Sequence, residues 1–285
     1  MNNEEKNKIE KSTLYLVATP IGNLADITYR AVKILSEVDF IAAEDTRNTP
    51  KLLTHYGIKK PLISYYEHNK RERGPEIIER LKAGESCALV TDAGTPAISD
   101  PGADLVDLCR KNGVKVTSVP GACAAITALT LSGLDTRRFC FEGFLSTEKS
   151  EKTERLEKLS REKRTVIIYE APHKLTSTLC DLYKAFGDRK ITVCRELTKI
   201  NEEISYTTLS EAAAYYEERR PRGEYVLVIE GAKEEDAAFF ATMSAEEHTA
   251  FYEKQGLSRM DAIKAAAKDR GVPKSALYAE LNRGK

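Results

Sequence analysis

The chain has 285 residues, with 44 basic side chains against 44 acidic ones, so no net field drives it onto a polyanion or a membrane and any such partner must be met by a local patch. With 41% hydrophobic and 31% charged residues, the composition belongs to a globular chain and excludes collagen, mucin and wholesale disorder. At about 150 residues per domain, the length suggests about two domains.

Met1 to Lys11 is polar, without an apolar stretch, and reads as a frayed tail rather than a signal peptide. Strand-like runs follow at Leu14 to Ala18, Phe40 to Ala43, Leu62 to Ser64, Cys87 to Thr91 and Val114 to Val119, separated by amphipathic segments. That alternation is the pattern of a largely parallel sheet covered by helices. Pro75 stands where a first-turn proline belongs, Ile77, Ile78 and Leu81 form one face, and Gly84 ends the helix; Ala103 to Asn112 repeats the scheme before Gly113. Val116 to Leu134 is nearly long enough for a membrane span, but Pro120-Gly121 interrupts it, so it reads as a strand, a turn and a buried helix.

A second block begins after Gly143 with the charged helix Glu148 to Lys163, whose only apolar seam is Leu156 and Leu159. Strands are expected at Thr165 to Tyr169, Ile191 to Arg195, Ile204 to Thr208 and Tyr225 to Glu230, with helices at Pro172 to Phe186 and Ser210 to Arg219, which makes this sheet mixed. After Gly231 the strands stop. Ser244 to Arg283 reads as a helical module with Met260, Ile263, Ala267, Leu277 and Leu281 as core positions, and the pair Ser258 to Arg270 and Lys274 to Asn282 has helix-turn-helix spacing. The division expected is a disordered tail at 1–12, α/β domains at 13–142 and 143–232, and the module at 233–285. The six cysteines form no C-x-x-C pair and several sit in apolar runs, the usage of reduced cytoplasmic thiols.

Three loops carry the chemistry. Thr19-Pro20-Ile21-Gly22-Asn23 is a compact turn at the carboxyl end of the first strand, where open α/β sheets place ligands. Thr91 to Gly102 holds two glycines, two prolines and two aspartates between a buried strand and a helix start, with Asp100 as N-cap and Pro101 as first residue of that helix. A loop of that kind offers backbone N–H and C=O groups at fixed angles. Pro120 to Ala125 has only small side chains, so a flat ligand or a packed helix can approach its backbone. No G-x-G-x-x-G follows the first strand and no G-x-x-x-x-G-K-[ST] occurs, which argues against an ordinary dinucleotide site or a P-loop.

Together and in order, Leu16 to Leu24, Ala43-Glu44-Asp45-Thr46-Arg47, the Thr91 to Gly102 loop, Pro120 to Ala125, Tyr169-Glu170-Ala171-Pro172-His173 and Arg195-Glu196-Leu197-Thr198-Lys199 resemble the bacterial small-subunit ribosomal RNA methyltransferases of the tetrapyrrole methylase superfamily. The resemblance implies two α/β domains of the class III methyltransferase type with a cleft between them, S-adenosylmethionine as methyl donor, a homodimer, and 2′-O-methylation of a cytidine in the decoding region of 16S rRNA, free or in the 30S subunit. It places donor contacts at Pro20, Gly22, Ala93, Gly94, Thr95, Ile98, Cys123, Ala124, Glu170 and Leu197. Porphyrin-modifying relatives have Gly-Asp-Pro where this chain has Gly94-Thr95-Pro96, so Thr95 must serve through its hydroxyl or backbone.

A sulfonium donor is already electrophilic, so alignment and exclusion of water matter most and the chemistry requires no metal; the four histidines form no close ligand pair. Asp45, Asp100, Glu170 and Glu196 are candidate bases for a ribose hydroxyl, with His173 a weaker one better suited to an anion. Glu44 and Asp45 equally suit a helix start, and Glu196 equally suits an ion pair with Arg195. Arg47 to Pro75 carries seven basic residues against two acids, a local +5, with Tyr56, Tyr65 and Tyr66 among them, which suits RNA through Arg47, Lys51, Lys70, Arg71 and Arg73. Two other functions are compatible with parts of the chain. A methyltransferase of the same fold acting on a tetrapyrrole or another small molecule would have an enclosed apolar cleft without a basic rim. A helix-turn-helix regulator would need a strongly basic recognition helix, whereas eight basic and six acidic residues leave Ser244 to Lys285 at only +2.

Overall fold

The computed structural model describes residues 8–233, 243–254 and 257–282. Strands β1 (Thr13–Val17), β2 (Phe40–Ala43), β3 (Leu62–Ser64), β4 (Cys87–Val90) and β5 (Lys115–Val119) form one sheet in the order β3-β2-β4-β1-β5. Every pairing in it is parallel. Side chains alternate across it, as the two-residue period of a strand requires. Tyr15, Val17, Ile41, Ala43, Ala88 and Val90 pack with Ala31, Ile34 and Leu35 of α1 (Tyr29–Glu37) and Leu53 of α2 (Thr49–His55). Leu14, Phe40, Ala42, Cys87 and Leu89 pack on the opposite face with α3 (Lys70–Lys82) and α4 (Gly102–Lys111).

Because α1 covers one face and α4 the other, the chain leaves the adjacent strands β1 and β4 in opposite directions, and a crevice opens between their carboxyl ends. This connectivity is what positions the site.

The second sheet is mixed, in the order β6-β7-β10-β8-β9, built from β6 (Phe139–Phe144), β7 (Thr165–Glu170), β8 (Lys190–Arg195), β9 (Glu203–Thr208) and β10 (Tyr225–Ile229). Only β6 and β7 run parallel; the other pairs are antiparallel. Val166 and Ile168 face α6 (Lys149–Leu159), α7 (Leu175–Phe186) and α8 (Leu209–Glu217). Ile167, Val226, Val228 and Cys194 face Ala125, Ala128 and Leu129 of α5 (Ala124–Leu131). Thus α5, which leaves the first sheet, packs on the second and couples the two.

Helices α9 (Ala245–Lys254), α10 (Arg259–Asp269) and α11 (Lys274–Asn282) enclose a small core of Ala245, Ile263, Ala266, Ala267, Leu277 and Leu281. Among the described residues no helix is long and apolar enough to cross a membrane. All six cysteines are free thiols.

Several elements differ from expectation. Strand β6 straddles the expected 142/143 division, and its pairing with β7 assigns Phe139 onward to the second sheet. Helix α3 starts at Lys70, leaving Pro75 inside it, because Asn69 fastens the helix start by accepting from the Tyr66 amide at 2.8 Å and donating to the Ser64 carbonyl at 3.0 Å. Likewise α4 begins at Gly102, with Pro101 rather than Asp100 as its N-cap. Met260 is 50% exposed, and Ala262 and Ala266 are buried instead. Of the tail, residues 1–7 lie outside the described residues, whereas Ile9 packs beside the first core and Glu10 bridges to Lys115.

Candidate active site

Four strands of the first sheet deliver their following loops to the same end. After β1, Thr19 and Gly94 exchange backbone hydrogen bonds of 2.9 and 3.1 Å, and the Thr19 hydroxyl donates to the Thr91 carbonyl at 3.3 Å, so the β1 and β4 loops are stitched together across the crevice. Thr95 donates its hydroxyl to the Ala122 carbonyl at 3.0 Å, which ties the β4 loop to the loop after β5. Its proton is therefore committed within the protein, and Thr95 faces a ligand with its backbone or hydroxyl lone pairs.

Gly94 has φ +82°, and a Cβ there would come within 3.2 Å of Ile21 Cγ2 and 3.5 Å of the Ala122 carbonyl, so both conformation and space demand glycine. Ala97, with φ +68°, is held in the left-handed region by the Asp100 carboxylate, which accepts from the Ala97 amide at 2.9 and 3.0 Å and from the Gly102 amide at 2.8 Å. Glu196 and Thr198 share that unusual backbone. Strain of this kind gathers where a site must hold a fixed shape.

The second domain reaches the same place. Asn23 donates its amide to the Thr198 hydroxyl at 3.1 Å, and buried Leu197 packs with Ile21 and Ala125. Of the residues expected at a donor, Pro20 and Gly94 are buried, Thr95, Cys123 and Ala124 half-buried, and Gly22, Ala93 and Ile98 exposed. With Leu197 they lie on loops at this one end.

Glu170 does not join them. Ile167 and Tyr169 face α5, so the next residue of β7 points to the opposite face, where the Glu170 carboxylate accepts from the Thr178 hydroxyl of α7 at 2.6 Å and from the Ala171 amide at 2.8 Å. It is 4% exposed. Tyr169 takes its place beside the crevice: the phenol oxygen accepts from the Ala125 amide in the first turn of α5 at 3.0 Å, and burial pushes its pKa up to about 12. The sequence shows a tyrosine at the end of a strand run, but only the pairing register says which of Tyr169 and Glu170 faces inward.

The other carboxylates divide similarly. Glu196 accepts from the Lys199 ammonium at 2.9 Å and the Glu224 amide at 2.9 Å; burial would raise its pKa, but these hydrogen bonds hold it below the ordinary value. The ion pair expected with Arg195 is made by Lys199 instead, and Arg195 reaches Glu203 and the Arg222 carbonyl. Asp45 is chelated by the Arg47 side chain and amide, which lower it to about 2. Burial raises Asp100, against the hydrogen bonds it accepts from Ala97 and Gly102. Beside them stands Asp92, which was not among the expected bases: burial first, then the charges of Glu44 and Asp45, raise its pKa against hydrogen bonds from the Asn48 side chain and the Asp45 backbone. Glu44 accepts from the Thr91 hydroxyl at 2.5 Å.

The basic stretch is only partly available. Lys70 bridges Glu67 and Asp104, Arg73 bridges Glu76, and Arg47 is taken by Asp45, whereas Lys51 and Arg71 are exposed and make no ion pair among the described residues. Tyr65 is 2% exposed, a core residue rather than a surface ring, because its amide extends β3 by donating to Ala43 and the side chain turns under α3; Tyr66 is 40% exposed. His173 is exposed, in the turn before α7 rather than in its first turn. Among the described residues no group of histidine, cysteine and acid side chains is arranged to hold a metal ion.

The family described as Tetrapyrrole (Corrin/Porphyrin) Methylases matches residues 13–213. A ribosomal RNA small subunit methyltransferase I of Synechocystis sp. is 49% identical over 266 residues, covering 93% of this chain and 95% of the relative. The protein of the same name from Bacillus subtilis is 48% identical over 275 residues, covering 95% and 94%. The one from Escherichia coli O157:H7 is 44% identical over 270 residues, covering 93% of each. Among solved structures, a diphthine synthase superposes with a TM-score of 0.60 at 15% identity, covering 77% of this chain and 90% of that one. A cobalt precorrin-4 methyltransferase does so at 0.56 and 16%, covering 77% and 95%, and likeness at such identity speaks for the fold alone. With the crevice at the carboxyl ends of β1, β4 and β5 and these matches over both sheets, the chain belongs to the tetrapyrrole methylases and, within them, to the ribosomal RNA small subunit methyltransferase I family.

Proposed function

We propose that this chain transfers a methyl group from S-adenosylmethionine to the ribose 2′-oxygen of a cytidine in the decoding region of 16S rRNA, acting in the cytoplasm as a homodimer. The observation that carries the reading is identity of 44 to 49% over more than nine-tenths of the chain with proteins named for small-subunit rRNA methylation. When bound, the donor supplies a sulfonium-activated methyl group. The crevice suits it: Ala93, Gly94, Ala122 and Ala124 leave the backbone open, so peptide groups can hold an adenosyl moiety, with Pro20, Ile98, Cys123 and Leu197 along its sides.

The protein's own part is alignment and removal of one proton. Glu170, Glu196, Asp100 and Asp45 are each committed to the internal partners described above. Asp92 is exposed at the end of β4, where its raised pKa, like that of Asp100, favours taking up a proton, and unlike Asp100 it stands open to solvent despite hydrogen bonds from Asn48 and the Asp45 backbone, so we assign it the base. Exposed Lys51 and Arg71 supply cations for RNA phosphates.

The deciding experiment incubates the protein with methyl-labelled S-adenosylmethionine and either 30S subunits or free 16S rRNA, then hydrolyses the RNA in alkali. Label retained in an alkali-resistant dinucleotide marks a 2′-O-methyl group. Label on a base, or none in either RNA, overturns the proposal.

A further inference from the structure

The edge strand of the second sheet carries a feature that folding alone does not require. Phe141 pairs with Ile167 and Gly143 with Ile168, so Glu142 is an extra residue, a β-bulge. In a regular strand, residues three apart point to opposite faces. The bulge restores Phe144 to the face of Phe141 and Tyr169, and both phenylalanines meet the Tyr169 ring edge-on, at 4.9 and 5.6 Å between centroids. Three restraints hold this arrangement. Glu142 accepts from Arg155 of α6 at 2.6 Å, Gly143 takes φ +63°, and a Cβ on Gly143 would come within 3.3 Å of Ser99 Oγ in the loop after β4. Bulges at sheet edges beside sites serve to re-aim a side chain.

The side chain re-aimed here is 59% exposed. An aromatic ring supported from behind by a second ring and left open in front is a surface on which a planar ligand stacks. Because β6 and β7 are parallel, the segments following them, which carry Lys149, Lys174 and exposed His173, start at the same end of the sheet, and neither lysine makes an ion pair among the described residues. Glu148, Glu151, Glu154 and Glu157 are the acids of the same stretch; Glu151 accepts from Ser146, Glu154 pairs with Lys158, and Glu148, Glu154 and Glu157 line the same surface depression as Lys149.

We propose that Phe144 is a stacking platform for an unpaired base of the RNA substrate, with Lys149 and Lys174 receiving the adjoining phosphates. Single-stranded RNA can splay its bases out as a ribose oxygen enters the crevice, and an aromatic platform compensates that unstacking without reading sequence. The proposal rests on the RNA reading above and names the place where the strand is gripped.

The experiment measures binding of a single-stranded cytidine-containing oligoribonucleotide by fluorescence anisotropy, S-adenosylmethionine binding by calorimetry, and methyl transfer to RNA, for wild type and for Phe144→Ala, Phe144→Leu and Phe144→Tyr. The expected result is about a tenfold or greater loss of RNA affinity for both aliphatic variants, recovery in Phe144→Tyr, and unchanged donor affinity in all of them. Phe144→Leu keeps an apolar side chain, so it separates stacking from folding. Aliphatic variants that bind and methylate RNA like the wild type overturn the platform while leaving the methyltransferase reading intact. RNA that binds through Phe144 but is not methylated by the wild type overturns that reading and supports the platform.

Discussion

A Cβ placed on Gly22 would overlap Cγ of Lys199 and lie 3.0 Å from the Thr198 hydroxyl, so the loop after β1 and the loop after β8 meet with no room for a methyl group. Lys199 is not free to withdraw, because it bridges both Glu196 and Glu224. Gly22→Ala is expected to cost about 1–3 kcal/mol of stability and to separate the two loops. Urea titration and donor calorimetry check this: an unchanged midpoint with unchanged donor affinity would mean that the loops adjust without strain.

The Thr95 hydroxyl joins the β4 and β5 loops through the Ala122 carbonyl. Thr95→Val keeps the shape and removes the donor, leaving a carbonyl short of its partner at about 1–3 kcal/mol. Thr95→Ser should behave as wild type. S-adenosylmethionine affinity measured for the pair should fall only in the valine variant.

Asp92→Asn is expected to leave donor affinity in place and to reduce turnover by about 10²–10⁴. Because the pKa of Asp92 is raised, the wild-type rate should fall as pH drops through that raised value, and the limb should vanish in the variant. A wild-type rate in Asp92→Asn would remove it as the base.

For Glu170 the structure predicts a stability effect. Thr178→Val removes the donor of the buried hydrogen bond between them and Glu170→Gln replaces its charged acceptor by an amide, so their costs should be non-additive in a double-mutant cycle. Turnover lost in Glu170→Gln but kept in Thr178→Val would restore a chemical role to Glu170.

His248 is wholly buried among α9 and α10; Arg270 Nε donates to its Nδ1 at 3.2 Å, and its Nε2 faces Asp269 at 3.2 Å. Burial lowers its pKa from 6.5, outweighing the attraction of Asp269, and Arg270 adds repulsion. The unfolded chain therefore takes up the proton more readily, so the helical module loses stability as pH falls below the unfolded value and until the folded imidazole protonates too. Protection factors of the amides in α9 to α11, each taken relative to the intrinsic exchange rate at the same pH, should be lower at about pH 5.5 than at about pH 7.5, and His248→Gln should flatten that dependence.

Strands β1 to β5 were legible to within a residue or two, the central β1, β2 and β4 because apolar runs buried on both faces announce themselves and the partly exposed edge strands β3 and β5 because amphipathic segments bracket them, and the three main-chain loops because glycine and proline cluster there. Strand β6 was not. Its bulge breaks the alternation, and Phe139 to Phe144 reads as the approach to a linker. The facing of Glu170 and the partner of Glu196 were hidden for another reason, since both depend on strand register and on side chains brought from distant segments. The tyrosines of the basic stretch show the same limit, with one ring in the core and its neighbour at the surface.

The stitch between Thr19 and Gly94 is made of peptide groups only, so no side-chain exchange at either position deletes it outright. A donor gripped by such a frame is indifferent to most substitutions around it, provided the glycine stays. The recipient of the methyl group, which we propose is gripped by side chains of both halves, Lys51 and Arg71 on one and Phe144 on the other, has no such insulation. Over time the molecule is therefore free to change its clientele while it goes on handling the same reagent.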